Sequence, residues 1–171
     1  MSQLKVNSII PVSGVPTGGG GGIIQVVSDT KTDTQSIQSQ NFTTISGLSA
    51  TITPTSTSSK ILILYSISIS CNNYGMINLR RAGSEIFRGD ADGSRTQCTF
   101  ESGVMNQYEM QICSGSFLDS PSSTSALAYD LQAATPDSSG SQLFINRYKT
   151  DNDSSYVGRA TSVITLMEVS A

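Results

Sequence analysis

The run from Lys60 to Cys71, KILILYSISISC, constrains the fold more than any other part of the chain. Strand side chains alternate between faces with a period of two, so Ile61, Ile63, Tyr65, Ile67, Ile69 and Cys71 share one face, apolar from end to end. The other face reads Leu62 and Leu64, then Ser66, Ser68 and Ser70. It is expected to be buried at the leucines and, halfway along, to become wet or to meet another subunit. A central strand of a two-sheet protein has this pattern.

Residues around it fit a β protein. The chain has 171 residues, the size of one domain, and only 13% are charged, against roughly 25% in an average soluble domain. Hydroxyls fill the gap, with 30 Ser and 17 Thr. Thr favours strands and Ser favours turns, whereas exposed helices want Glu, Lys, Gln and Ala. The net charge of −3 leaves no electrostatic footprint for nucleic acid or an anionic membrane. Histidine is absent, which removes Ser-His and Cys-His nucleophile arrangements and most zinc sites. Cys71, Cys98 and Cys113 form no CxxC pair and read as buried free thiols. No cofactor or metal is expected.

Residues 1–22 read as an arm. Leu4, Val6, Ile9, Ile10, Val12 and Val15 are apolar without helical or strand period, and Gly18 to Gly22 form a flexible tether. An apolar peptide on a tether suits docking on a partner; the alternative is a disordered tail. Its apolar core is too short for a secretory signal or a membrane span, so a soluble, non-inserted protein is expected.

Residues 23–171 form a series of short strand patterns. Ile23–Val27, Ile45–Thr53, the central run, Met76–Arg81, Glu85–Arg88, Thr96–Glu101, Tyr108–Leu118, Ser125–Ala133, Gln142–Lys149 and Arg159–Val169 are separated by turn residues. Gly115 marks a bulge or a close backbone approach. No stretch reads as a helix of ten residues or more. The pattern predicts an all-β fold, an antiparallel β-sandwich resembling a jelly roll, built as a knob with an extended N-terminal arm. Strands apolar on both faces point to a subunit interface, a homotrimer being the first choice.

Chemical motifs are weak. Residues 14–22 lack the lysine of a phosphate loop. Asp151 to Ser155 carries alternating oxygen ligands, but Tyr156 and Ser162 stand where a calcium loop needs Gly and Glu, so it reads as a solvated loop. Arg88-Gly89-Asp90 and the sequons at Asn41 and Asn152 carry little weight. Glu101, Glu109, Asp119 and Asp130 lie near strand ends, where a hydrolytic pair is defined by separation in space and a chance pair is expected, and no catalytic residue is assigned. Tyr74, Tyr108, Tyr148 and Tyr156 fall near loops, where exposed aromatics stack on sugar rings; alternatively they plug the sandwich ends.

Three stretches carry a family resemblance: LKVNSIIPVSGVPTGGGGGIIQVV at the start, SGLSATITPTSTSSKILI in the middle, and GSFLDSPSSTSALAYDLQA with the closing TSVITLMEV. With them the chain resembles small virion structural proteins of tailed bacteriophages, especially cyanobacterial ones, of the tail-fibre-like or head-decorating kind. The resemblance implies a trimeric, non-enzymatic knob held to capsid or tail proteins by its arm, made in the host cytoplasm and assembled on the particle. It brings no catalytic residues. A carbohydrate-binding module gripping host glycan through the loop tyrosines is the alternative.

Overall fold

A computed structural model describes residues 22–136 and 140–170. The arm residues Leu4, Val6, Ile9, Ile10, Val12 and Val15 therefore lie outside the described residues, as does most of the glycine tether. Within them the chain is all β, with eleven strands and no helix. They are β1 (Ile23–Lys31), β2 (Gln35–Ile37), β3 (Thr43–Ile52), β4 (Lys60–Cys71), β5 (Gly75–Arg81), β6 (Ser84–Ile86), β7 (Phe100–Ser102), β8 (Gln111–Asp119), β9 (Leu127–Ala134), β10 (Leu143–Ile145) and β11 (Ser162–Val169).

Two antiparallel sheets share them. In the first, β1 pairs with β11 and β11 with β4, β8 flanks β4 on its other side, and β10 with β2 extends the sheet beyond β11. The second runs β3-β9-β5, with β6 and β7 sharing the outer edge of β5. The chain repeatedly crosses from one sheet to the other, and its last long strand returns beside its first. That is the strand order of a jelly roll, two Greek keys in two sheets. β3 lies across the core against β1 and β11.

The alternation in the sequence becomes the core. Ile61, Ile63, Ile67, Ile69 and Cys71 of β4 are fully buried, and Tyr65 nearly so. They meet Ile45, Leu48, Ile77, Leu79, Tyr129 and Leu131 of the second sheet in one apolar cluster. Gly115 resolves as a close approach: the β4–β8 register runs without a break, and Gly115 sits opposite Tyr65. Register breaks occur elsewhere, one between Ile23 and Gln25 and one between Thr44 and Ser49, where Gly47 takes φ +67° and lets Ile45 and Leu48, three apart, both face inward. Ala82 and Gly83 both have positive φ, as the tight turn between Arg81 and Ser84 requires.

The outward face of β4 corrects the expectation. Leu64 is exposed and Leu62 half-buried, whereas Ser68 and Ser70 are buried. The hydroxyl half is covered because Phe144 pairs with Ser70 in register and carries the Arg147 guanidinium 4.3 Å above its ring. Ser68 Oγ also donates to the Thr161 carbonyl at 3.1 Å. Several strands differ from their expected bounds: β1 runs on to Lys31, β7 is confined to Phe100–Ser102, β8 starts at Gln111, and β10 stops at Ile145. The three cysteines are free; Cys71 and Cys113 are buried and Cys98 is half-buried.

Burial of neutral acids gives the core an alkaline limit. Burial pushes the Tyr65 phenol up to about 12 from 10.0 and the Cys113 thiol up to about 12 from 9.0, and it raises Tyr129 as well. A folded-state pKa above the unfolded value gives stability that is complete below the unfolded pKa and lost as pH rises through the folded one. Urea midpoints are therefore expected to hold up to pH 9.0 and fall between there and about 12, with Tyr65→Phe reducing the slope. A midpoint unchanged across that window would remove this account.

Candidate functional site

The registers give the sandwich two distinct ends. Ile23 pairs with Val169, Val169 with Lys60, and Ile61 with Asp119, so β1 begins at one end beside the start of β4 and the close of β8 and β11. Gly22 is held there, its N–H donating to Ser170 Oγ and its carbonyl accepting from Ser170 N, each at 2.9 Å. Gly22, where the described residues begin, thus sits at this end. At the opposite end β4 closes at Cys71, β8 opens at Gln111 near Ile69, and β1 finishes at Lys31 opposite Ser162. Strands rise about 3.3 Å per residue, which puts the ends roughly 35–40 Å apart along β4.

Three loops cluster at that second end: residues 72–74 between β4 and β5, 103–110 between β7 and β8, and 146–161 between β10 and β11. Met105 N donates to Cys71 O at 3.2 Å, which ties the second loop to the central strand. Thr150 N donates to Gln107 O at 3.2 Å, which ties the third to the second.

Two tight turns then aim aromatic rings outward. Glu109 N donates to Asn106 O at 3.1 Å, closing a turn with Tyr108 in its third position. The Glu109 carboxylate reinforces it, accepting from Asn106 N at 2.9 Å and Asn106 Nδ2 at 2.8 Å; these bonds hold the carboxyl below its ordinary range. Val157 N donates to Ser154 O at 3.0 Å, and Tyr156 takes the third position of that turn. The two rings meet edge to face, with centroids 5.9 Å apart and planes at 77°, a favoured aromatic geometry. Both remain exposed, Tyr156 at 66%. Hydrogen bonds from Ser154, then Asn152 and Tyr108, lower the Tyr156 phenol below its usual pKa.

Beside this pair lie two shallow pockets. One of about 370 Å³ is lined by Asp151, Asn152, Asp153, Ser154, Val157 and Arg159. Another of about 270 Å³ is lined by Gly103, Val104, Met105, Glu109, Met110 and Gln111. Asp151 is held between two cations, Arg159 Nη2 at 2.7 Å and Arg147 Nη1 at 3.4 Å. The pocket therefore offers amide, hydroxyl, carboxylate and guanidinium groups in fixed places next to an apolar ring face. A sugar ring asks for that combination: aromatic surface for its C–H face and paired donors and acceptors for its hydroxyls.

Of the four loop tyrosines singled out in the sequence, the fold brings Tyr108 and Tyr156 together. Tyr74 is exposed on the β4–β5 turn at the same end, and Tyr148 is half-buried next to Arg147, which donates to its carbonyl at 3.2 Å. The reading of these residues as plugs fails for Tyr74, Tyr108 and Tyr156, all exposed. Asp151, Asn152 and Ser154 lie in the stretch that the sequence reads as a solvated loop, and Arg159 carries no signal of its own; the local signal for both loops is a tyrosine inside a run of turn formers, NQYE and SSYV. The four strand-end carboxylates go to separate places. Asp119 binds Arg81, Asp130 binds Arg80, Glu109 binds Asn106, and Glu101 is exposed on β7.

Among the described residues no group of three or more His, Cys, Asp or Glu is placed to hold a metal, and no helix is long and apolar enough to cross a membrane. Compared with known proteins, the chain matches no family model and no curated protein.

Proposed function

We propose that the protein is a non-enzymatic structural protein of a phage particle, a trimeric fibre or decoration knob carried on its N-terminal arm. The observation that supports this most is the polarity of the sandwich. Gly22, which follows the arm in the chain, sits at one end, and the exposed Tyr108–Tyr156 pair with its pocket occupies the other. An arm docked in capsid or tail protein then turns the loop end outward, toward the host. The family resemblance of the arm and of the SSKILI stretch points the same way. In particles assembled with a chain lacking residues 1–17, the knob is expected to stay soluble and be missing from purified virions. Virions that carry the shortened chain at the full-length level would sink the reading.

The edge-to-face tyrosines favour a second, compatible function, recognition of host glycan. On an array of bacterial surface polysaccharides, Tyr156→Ala is expected to weaken binding about tenfold, the order of one aromatic contact. Asp130→Asn, on the outward face of the second sheet, should leave binding unchanged. Equal binding by wild type and Tyr156→Ala would overturn this part.

A further inference from the structure

We propose that the leucine half of the outward face of the β1-β11-β4-β8 sheet is where a second copy of this chain docks. One apolar row crosses all four strands in register, Val26 to Met167 to Leu62 to Leu118. Val26 is 57% exposed and Leu118 47%. Ile23 against Val169 extends the row on one side, and Leu64 on the other.

The next rows are hydroxyls: Ser28, Thr165 and Ser116 flank Leu64, and Thr30, Ser66 and Ser114 flank Val163. Lys60, at the rim, is the one charged side chain facing outward from these four strands. The other sheet is a control within the same molecule. Its outward face keeps charge, in the Arg80–Asp130 ion pair and in Glu85 bound to Asn78. Loss of charge from one face only is the mark of an interface core, and a neutral face meets its own copy without like-charge repulsion.

The edge of that sheet supports the same occupant. β8 has β4 as its one strand neighbour among the described residues. From Gln111 to Leu118 it has no charge, no proline and no register break, and Ile112 is 65% exposed. Soluble proteins normally guard a long edge with Lys, Pro or a bulge. An edge without those guards, continuous with an apolar face, is covered in the assembled protein.

Four strands about 4.8 Å apart, over about 20 Å of length, give a flat footprint of about 400 Å². Side-chain relief and the β8 edge add to that flat figure, which is about half of the roughly 800 Å² each partner gives to a standard interface. The inference rests on the oligomeric part of the function proposed above, whereas arm attachment and glycan binding use other residues and fail or stand separately.

Light scattering of the full-length chain is the test. The expected mass is a multiple of 18.0 kDa, twofold or threefold. Leu118→Lys, and Ser116→Lys at an exposed position where folding tolerates a lysine, should each weaken association about 30-fold or more, with an unchanged circular dichroism spectrum. A wild-type chain that stays at 18.0 kDa at its highest soluble concentration overturns the proposal and gives the face to residues 1–21 of the same chain or to another protein. Oligomers that survive both lysines overturn it too, by placing the interface elsewhere.

Discussion

Gly115→Val is expected to destabilise the protein by about 2 kcal/mol, and the sign of that effect should reverse once the Tyr65 ring is gone. A Cβ at position 115 would lie 2.5 Å from Tyr65 Oη and 2.7 Å from Cζ, against ordinary contacts near 3.4–4 Å. The ring lies between the sheets, 5% exposed, among fully buried isoleucines, so it has nowhere to retreat. Overpacking of this kind costs about 1–3 kcal/mol, and the better strand propensity of valine offsets less than about 1. Tyr65→Ala by itself leaves a large cavity and should cost about 4 kcal/mol. In that background the clash is absent and valine begins to fill the hole, so Gly115→Val becomes neutral or stabilising. Urea unfolding of the two single variants and the double variant measures the coupling. Additive losses would mean that the glycine is there for a reason other than the tyrosine.

The same pair shows what the chain discloses about itself. Alternation from Ile61 to Cys71 is local, uninterrupted and bounded by Ser and Asn, and β4 has the bounds read from it. Gly115 could be flagged as unusual in a strand, but its reason lies in Tyr65, fifty residues earlier and legible only once the two strands are in register.

Failures follow the same line between local and non-local causes. Ser68 and Ser70 look wet, yet they are buried by Phe144 and Arg147, which arrive from β10 and the loop after it. Strand β10 looks longer than it is, because Asn146 turns to φ 61° and spends its amide on the carbonyls of Lys31 and Asp33, at 2.9 Å each. Strand β1 looks shorter than it is, since Asp29 and Lys31 interrupt the apolar pattern. Both are satisfied inside the fold, Asp29 by Ser49 N at 3.0 Å and the fully buried Lys31 by Asp33 at 2.9 Å. At the candidate site, the tyrosines were visible because exposed aromatics among turn formers are locally odd. Their pairing across two loops, and the cations that hold Asp151, were not.

Asp119→Ala should be the most damaging polar substitution, at about 3 kcal/mol. Asp119 closes β8 in the first sheet, and its carboxylate, 8% exposed, reaches two strands of the second. Arg81 Nη1 of β5 donates to both oxygens, at 2.8 and 2.7 Å, and Tyr129 Oη of β9 donates to Oδ2 at 2.7 Å. Three strands from two sheets therefore meet on one carboxylate. Removing it strands a guanidinium that is mostly covered and a phenol that is completely buried. Loss of one partner from a buried ion pair costs about 3–5 kcal/mol, and the partial exposure of Arg81 places this case at the lower end. Tyr129→Phe removes one donor and leaves the ion pair, so about 1 kcal/mol is expected there. If the carboxylate stabilises chiefly by satisfying its two donors, then replacing Arg81, Asp119 and Tyr129 together by Met, Leu and Phe should recover most of the loss. If instead it fixes the relative placement of the sheets, the triple variant stays as weak as Asp119→Ala and its near-ultraviolet circular dichroism broadens toward a loosely packed state. A change of less than about 0.5 kcal/mol in Asp119→Ala, within the range of ordinary surface substitutions, would mean that the apolar cluster holds the two sheets together without this contact.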